Sequence, residues 1–218
     1  MINQKLIDKY KDNFKYIKGW LDVRFLEELF NLNEVHEQNN IKGNILEIGV
    51  YFGKTFIPLS FLLKDNEIII GIDCFEDQEI NTSKSGIICS QRRVEHNIKK
   101  IYLNKIKDLN FKLMKSDSRI LKPKDYFDFT DNELSYRIIH IDGGHDENTC
   151  SIDLNNSANI LCKNGYIIID DYQNFTKDKN LDFYHGEGVT KAVDKFLLQN
   201  KNFEIAKKLN NKLIVIKN

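Results

Sequence analysis

The sequence predicts an α/β fold: a doubly wound, seven-stranded, mostly parallel sheet with an antiparallel last strand, and helices added at the N-terminus. Five short apolar runs, at 44–50, 67–73, 111–115, 136–142 and 166–171, alternate with stretches of helical spacing. Runs that are apolar on both faces and separated by helical crossovers are the pattern of a parallel sheet covered on both sides. After the fifth run and one more helix, residues 203–209 and 213–217 flank Asn210-Asn211, a short turn that makes the final strand antiparallel to its neighbour. A length of 218 residues suits one well-buried domain. Residues 1–40 form a helical segment in front of it, and 41–218 form the sheet domain.

In residues 1–40, Leu6, Tyr10, Phe14 and Ile17 share one helical face and Phe25, Leu26, Leu29 and Leu32 another, with Gly19 between the two helices. Three roles are open to this segment: covering the core, capping a ligand site, or forming a homodimer. His36, at its polar end with no evident partner, is expected to be a solvated loop residue. The first strand then runs into NILEIGVYFGKT, residues 44–55, interrupted by one acid, Glu47. Gly49 and Gly53, with Tyr51 between them, let the chain leave the strand tightly and let a ligand or a helix approach the backbone. Thr55, Phe56, Leu59 and Leu62 continue at helical spacing, so the loop opens onto a helix N-terminus.

The second strand ends at Asp73, where a carboxylate can accept both hydroxyls of a ribose. Residues 76–86 are polar and turn-rich, the composition of a loop over the site. A helix over 87–103 points Val94, Ile98 and Ile101 inward and keeps Arg92, Arg93, Lys99 and Lys100 on a solvated face. At the end of the third strand Asp117 has two readings, an acceptor for an adenine amine or the N-cap of a short helix starting near Ser118. Residues 122–135 read as a surface connection. The fourth strand ends at Asp142, followed by Gly143, Gly144 and His145, and the fifth ends in Asp170 and Asp171. His140 lies inside its strand and is expected to pack or hydrogen-bond there. The polar loop 173–188, containing His185, precedes a strongly amphipathic helix with Val189, Ala192, Val193 and Phe196 inward.

Composition narrows the partners. Lys+Arg and Asp+Glu each total 32, for a formal net charge of zero, which argues against nucleic acid or an anionic membrane and for a small-molecule substrate. No apolar run approaches the roughly 20 residues of a membrane span, and the polar N-terminus is unlike a signal peptide; the expectation is a cytoplasmic protein. Four cysteines without C-x-x-C spacing are read as reduced packing residues.

Every polar group named above sits at a strand C-terminus, and in a parallel sheet these ends share one edge. Glu47, Gly49, Gly53, Asp73 and Asp117 suit a nucleoside with an amino-acid-like or phosphate tail. Asp142, Asp170 and Asp171, with no Lys or Arg near them in sequence, would repel one another unless a hard cation accepts their oxygens. Such a cation lowers the pKa of a bound hydroxyl. His145, three residues past Asp142, is placed to take a proton near neutral pH, with a metal-ligand role and a purely structural one as alternatives.

The set LEIGVYFGKT, GIDCF, IHIDGGH, GYIIIDDY and GVTKAVDKFL, in this order and spacing, resembles the class I S-adenosylmethionine-dependent methyltransferases. Within them it is similar to the metal-dependent small-molecule O-methyltransferases of the macrocin O-methyltransferase type, which act on sugar hydroxyls. The resemblance covers residues 41–218 and implies a Rossmann-like methyltransferase domain. It implies that Glu47, Gly49, Tyr51 and Gly53 hold the methionine part of S-adenosylmethionine, that Asp73 binds its ribose, and that the Asp117–Ser118 region contacts adenine. It also implies that Asp142, Asp170 and Asp171 hold a divalent metal, Mg²⁺ first with Mn or Fe as alternatives. The catechol-type relatives carry a Lys three residues after the first metal Asp, where this chain has His145. The acceptor it implies is a sugar or nucleotide-activated sugar. Two other readings compete: an iron-dependent hydroxylase of related fold, for which one well-placed His is too few, and a non-catalytic cofactor-binding subunit. A nicotinamide enzyme fits less well, because the first loop lacks G-x-G-x-x-G.

Overall fold

The computed structural model describes residues 4–81, 87–130, 133–176 and 186–218. The chain runs α1 (Gln4–Asn13), α2 (Val23–Gln38), β1 (Asn44–Ile48), α3 (Phe56–Ser60), β2 (Ile69–Asp73), α4 (Gln91–Tyr102), β3 (Phe111–Lys115), α5 (Pro123–Asp128), β4 (Tyr136–Ile141), α6 (Glu147–Ile160), β5 (Leu161–Ile169), α7 (Glu187–Gln199), β6 (Phe203–Leu209) and β7 (Lys212–Lys217). The seven strands form one sheet in the order β3-β2-β1-β4-β5-β7-β6. β1 to β5 pair in parallel, and β7 inserts between β5 and β6, antiparallel to both. The predicted fold class is the observed one.

Strand side chains alternate between the two faces. Ile45, Ile69, Ile138, Ile168 and Ile214 pack with α1 to α4, while Leu46, Ile70, Ile139, Ile167 and Val215 pack with α5 to α7. Each wholly buried isoleucine contributes roughly 1.5–3 kcal/mol of transfer free energy, so both faces need their helical cover. The order of strands reverses between β1 and β4, and the crevice beyond their C-terminal ends is where such a sheet binds ligands.

The N-terminal helices belong to this core. Tyr10 donates from its hydroxyl to the Lys54 carbonyl at 2.5 Å, and Phe25, Leu26 and Leu29 are buried against the sheet. His36 corrects the sequence expectation, because it is fully buried in the last turn of α2. Its ring stacks on Tyr166 with centroids 4.7 Å apart, and Nε2 lies 3.0 Å from the Asn164 carbonyl oxygen. A carbonyl only accepts, so Nε2 carries the proton and Nδ1 is left to accept from Arg137, 3.3 Å away. Burial, then the Arg137 guanidinium, push the imidazole pKa down to about 4. These partners lie 101 and 128 residues away in sequence, which is why the local pattern does not reveal them.

Two boundaries also differ from expectation. The connection at 122–135 contains α5, whose Pro123 occupies the first turn and whose Asp125 side chain accepts from the Lys122 N–H at 2.7 Å. Its Tyr126 is wholly buried. β5 begins at Leu161 and is bulged, since Tyr136 pairs Leu161 while Ile138 pairs Tyr166. Part of the loop at 76–86, part of 173–188 and His185 lie outside the described residues. Among the described residues no helix is long and apolar enough to cross a membrane.

Candidate active site

The glycine loop after β1 is shaped by its neighbours. A Cβ on Gly49, whose φ is +88°, would come within 2.0 Å of the Asp142 carbonyl oxygen, so only glycine permits β1 and β4 to close at their ends. A Cβ on Gly53, whose φ is +79°, would come within 3.0 Å of Val94 Cγ1, and Gly53 is not among the residues that line the cavity. Tyr51 takes a left-handed conformation with φ 50°, held by Asp73. One oxygen of Asp73, Oδ2, accepts from the Val50 and Tyr51 N–H groups at 2.8 Å each, and Oδ1 accepts from Phe75 N–H at 2.6 Å. A carboxylate offers about four acceptor sites, so Asp73 clamps the loop and keeps capacity for one further donor.

Asp117 plays the capping role that was one of its two readings. It accepts from the Arg119 N–H at 2.9 Å and pairs with the Arg119 guanidinium at 2.8 Å, and hydrogen bonding from Arg119 holds its carboxyl below the ordinary range. Ser116, Asp117, Ser118 and Arg119 all line the cavity.

At the ends of β4 and β5 the acids converge with a cation that sequence reasoning missed. Lys212, at the start of β7 and buried, pairs with Asp170 Oδ2. Asn211 donates to Asp170 Oδ1 and to Asp171 Oδ1, both at 3.0 Å. The expectation that no Lys or Arg attends these carboxylates holds only along the chain; insertion of β7 beside β5 brings one in. The signal was a lysine opening the apolar run of the last strand, KLIVI.

His145 Nε2 lies 3.3 Å from Asp171 Oδ2. Asn174 donates to Asp171 Oδ1 at 2.7 Å. Deeper in, Glu47 Oε1 meets His140 Nδ1 at 3.0 Å, with both side chains buried, as the strand position of His140 suggested. Burial and the charge of Asp142 push the Glu47 carboxyl well above its ordinary range. Burial and Asp170 do the same to Asp142. Burial works against ionisation of Asp170 too, but the charge and hydrogen bond of Lys212 more than offset it and hold that carboxyl low. Burial, then Lys212, push His140 down to about 3, so it is neutral.

This cluster fits a hard cation. Four carboxylates face one ammonium, and His140 Nε2 and Glu47 Oε2 are buried without a hydrogen-bond partner. Among the described residues two overlapping donor groups have ligand atoms within 4.8 Å of one another: His140, Asp142 and Asp170, and Asp142, His145 and Asp171. Asp142 is common to both. The predicted trio of Asp142, Asp170 and Asp171 is therefore split between them, with each group completed by a histidine.

One cavity of about 480 Å³ joins both ends of the sheet edge and is lined by Glu47, Gly49, Tyr51, Asp73, Asp117, Ser118, Asp142, His145, Asp170 and Asp171. Gly19, Trp20, Lys54 and Thr55 also line it; none of these carries a strand-end signal in the sequence.

A family model described as a methyltransferase domain matches residues 46–172, which is more than half of the chain. No curated protein matches the sequence. Among solved structures, the O-methyltransferase NovP superposes with a TM-score of 0.66 at 16% identity, covering 89% of this chain and 80% of its own. An O-methyltransferase from Bacillus cereus in complex with SAH gives 0.57 at 15% identity, covering 99% and 91%. CalS11 in its apo form, a TDP-rhamnose 3'-O-methyltransferase of calicheamicin biosynthesis, gives 0.57 at 13% identity, covering 98% and 93%. At such identities the likeness is one of fold. It agrees with the strand order, the terminal antiparallel insertion and the placement of the cavity, and with the family match it establishes that the chain belongs to the methyltransferase-domain family and has the class I S-adenosylmethionine-dependent methyltransferase fold.

Proposed function

We propose that this protein transfers the methyl group of S-adenosylmethionine to a hydroxyl of a small molecule, a sugar or nucleotide-activated sugar. The observation that carries this reading is the continuity of the cavity. Asp73, Asp117 and Ser118 at one end suit an adenosine, Glu47, Gly49 and Tyr51 follow along the sheet edge, and Asp142, His145, Asp170 and Asp171 gather at the other end. A methyl donor laid along that edge would bring its sulfonium toward the acidic end.

The transfer is an in-line displacement in which the acceptor oxygen bonds to the methyl carbon as the carbon–sulfur bond breaks. The hydroxyl proton leaves to a base and S-adenosylhomocysteine departs, so alignment supplies much of the rate. His145 is the proposed base: its Nε2 lies 3.3 Å from Asp171 Oδ2, and a carboxylate so placed would orient the ring and stabilise an imidazolium. A divalent cation, Mg²⁺ first with Mn or Fe as alternatives, would be held by Asp142 with either Asp170 or Asp171 and would supply positive charge beside an acceptor oxygen. Glu47, hydrogen-bonded to His140 and reluctant to ionise, would bind the amino-acid end of the cofactor without adding to the anionic charge.

Titration calorimetry with S-adenosylhomocysteine, with and without Mg²⁺, tests the cofactor. Saturable binding is expected, and its absence under both conditions would overturn the reading. Methyl transfer to TDP-rhamnose, brought in by the likeness to CalS11, and to other nucleotide sugars then tests the acceptor.

A further inference from the structure

The linker between α1 and α2 carries Trp20, the single tryptophan of the chain. Trp20 lines the cavity and is 74% exposed, so its ring is open to a ligand from solvent. The ring is held in place. It stacks on Tyr51 of the glycine loop with centroids 5.8 Å apart and planes 9° from parallel. On one side of it the Gly19 carbonyl accepts from Lys54 Nζ at 3.0 Å. On the other side Asp22 Oδ2 accepts from Asn210 Nδ2 at 2.8 Å, next to the Asn211 that bonds Asp170 and Asp171. Trp20 is thus pinned between the glycine loop and the turn that serves the acidic cluster.

We propose that Trp20 is the acceptor-binding platform and that it selects a saturated, hydroxylated ring, a sugar, over a planar aromatic. This rests on the methyl-transfer reading above, in which adenosine lies toward Asp73 and Asp117 and leaves the Trp20 side for the acceptor. The cavity that Trp20 lines is amphipathic: the indole and Tyr51 give aromatic surface, while Asn174, Thr176, Asn211 and His145 give polar lining. A pyranose has one C–H face for such a surface and a rim of hydroxyls for such donors and acceptors. A planar aromatic acceptor could stack on the indole as well, but it carries fewer hydroxyls to meet the polar lining.

Because Trp20 is the only tryptophan, its emission reads the site directly. In wild-type protein loaded with S-adenosylhomocysteine, a panel of TDP-rhamnose, UDP-glucose and UDP-N-acetylglucosamine is titrated against 4-nitrocatechol, and each affinity is repeated by calorimetry in Trp20→Ala and Trp20→Phe. The expected result is that at least one sugar moves the emission. Its binding weakens about 3- to 10-fold in Trp20→Ala, the worth of one ring contact, recovers mostly in Trp20→Phe, and S-adenosylhomocysteine affinity stays within about twofold. The exposure of Trp20 leaves no packing void in either variant. The proposal is overturned if no sugar moves the emission, if only the catechol does, if Trp20→Ala leaves sugar affinity unchanged, or if cofactor affinity falls in step with it. Failure of wild-type protein to bind S-adenosylhomocysteine would instead sink the methyl-transfer reading itself.

Discussion

Two buried polar clusters sit at opposite edges of the same sheet, and they are built by opposite rules. At the N-terminal edge, Arg137 is completely buried and every donor it presents is used: Glu67 takes two hydrogen bonds at 2.9 Å, Asn33 Oδ1 one at 3.0 Å and the Leu62 carbonyl one at 2.6 Å, while His36 Nδ1 faces it. Glu67 also accepts from the Gly43 and Lys64 N–H groups at 2.9 Å. Charge is balanced and nothing is left over. At the C-terminal edge, Glu47, Asp142, Asp170 and Asp171 outnumber Lys212, and polar atoms of Glu47 and His140 are buried without partners. A satisfied network specifies and stiffens the fold, whereas an unsatisfied one is waiting for something to bind.

The sharpest way to break this contrast is to remove one member from each edge. Arg137→Ala leaves the Glu67 carboxylate buried and unpaired and is expected to cost about 3–5 kcal/mol of stability, read as a fall in the denaturant midpoint with little separate effect on cofactor affinity per folded molecule. Asp142→Asn at the other edge removes a charge that burial and Asp170 already disfavour. Its thermal midpoint should hold or rise while methyl transfer falls about 10²- to 10³-fold, the usual worth of a preorganised electrostatic group. A midpoint drop in Asp142→Asn as large as in Arg137→Ala would erase the distinction.

pH sharpens it further. His36 is neutral in the fold, with its pKa lowered to about 4, whereas in the unfolded chain it protonates near 6.5. Between those values the unfolded state binds the extra proton, so the stability contributed by neutral His36 is present above about pH 6.5 and is lost as pH falls toward 4, by about 1.4 kcal/mol per unit. Equilibrium unfolding of His36→Gln across that window should show a slope shallower by about one proton. An unchanged slope would mean that His36 is not the buried neutral group the packing indicates.

A smaller effect is expected from metal. Chelation should lower the thermal midpoint of protein purified with Mg²⁺, because a cation bound only by the folded acidic cluster at a hundredfold excess over its Kd adds about 2.7 kcal/mol. Asp142→Asn should abolish that increment and Arg137→Ala should not, which differential calorimetry of the three proteins would read.

The same contrast explains what was legible in the sequence. The sheet could be read because doubly buried strands and amphipathic helices leave strong local periods, and β7 could be oriented because its turn is short. The acids of the C-terminal edge could be read because a parallel sheet delivers every strand end to one place. What the chain hides is who completes each cluster. Lys212 reaches Asp170 from 42 residues away and Arg137 reaches Glu67 from 70, and neither pairing leaves a local pattern. Trp20 was hidden for a different reason, since an aromatic in the short linker between two helices belongs to no helical or strand period.

Asp117 mixes the two behaviours, and it gives the smallest expected change. Its carboxylate is satisfied by Arg119 and caps the short turn at Ser118–Ile120, so it resembles the N-terminal edge, yet it lines the cavity like the C-terminal one. Asp117→Ser keeps a capping oxygen and should change stability by no more than about 0.5 kcal/mol. If the carboxylate also accepts from the adenine amine, S-adenosylhomocysteine binding should weaken about tenfold, the worth of a charge-assisted hydrogen bond, with the sugar affinity of the loaded protein unchanged. Equal affinity for S-adenosylhomocysteine in the two proteins would confine Asp117 to its cap and move adenine recognition to Ser118 and the backbone beside it.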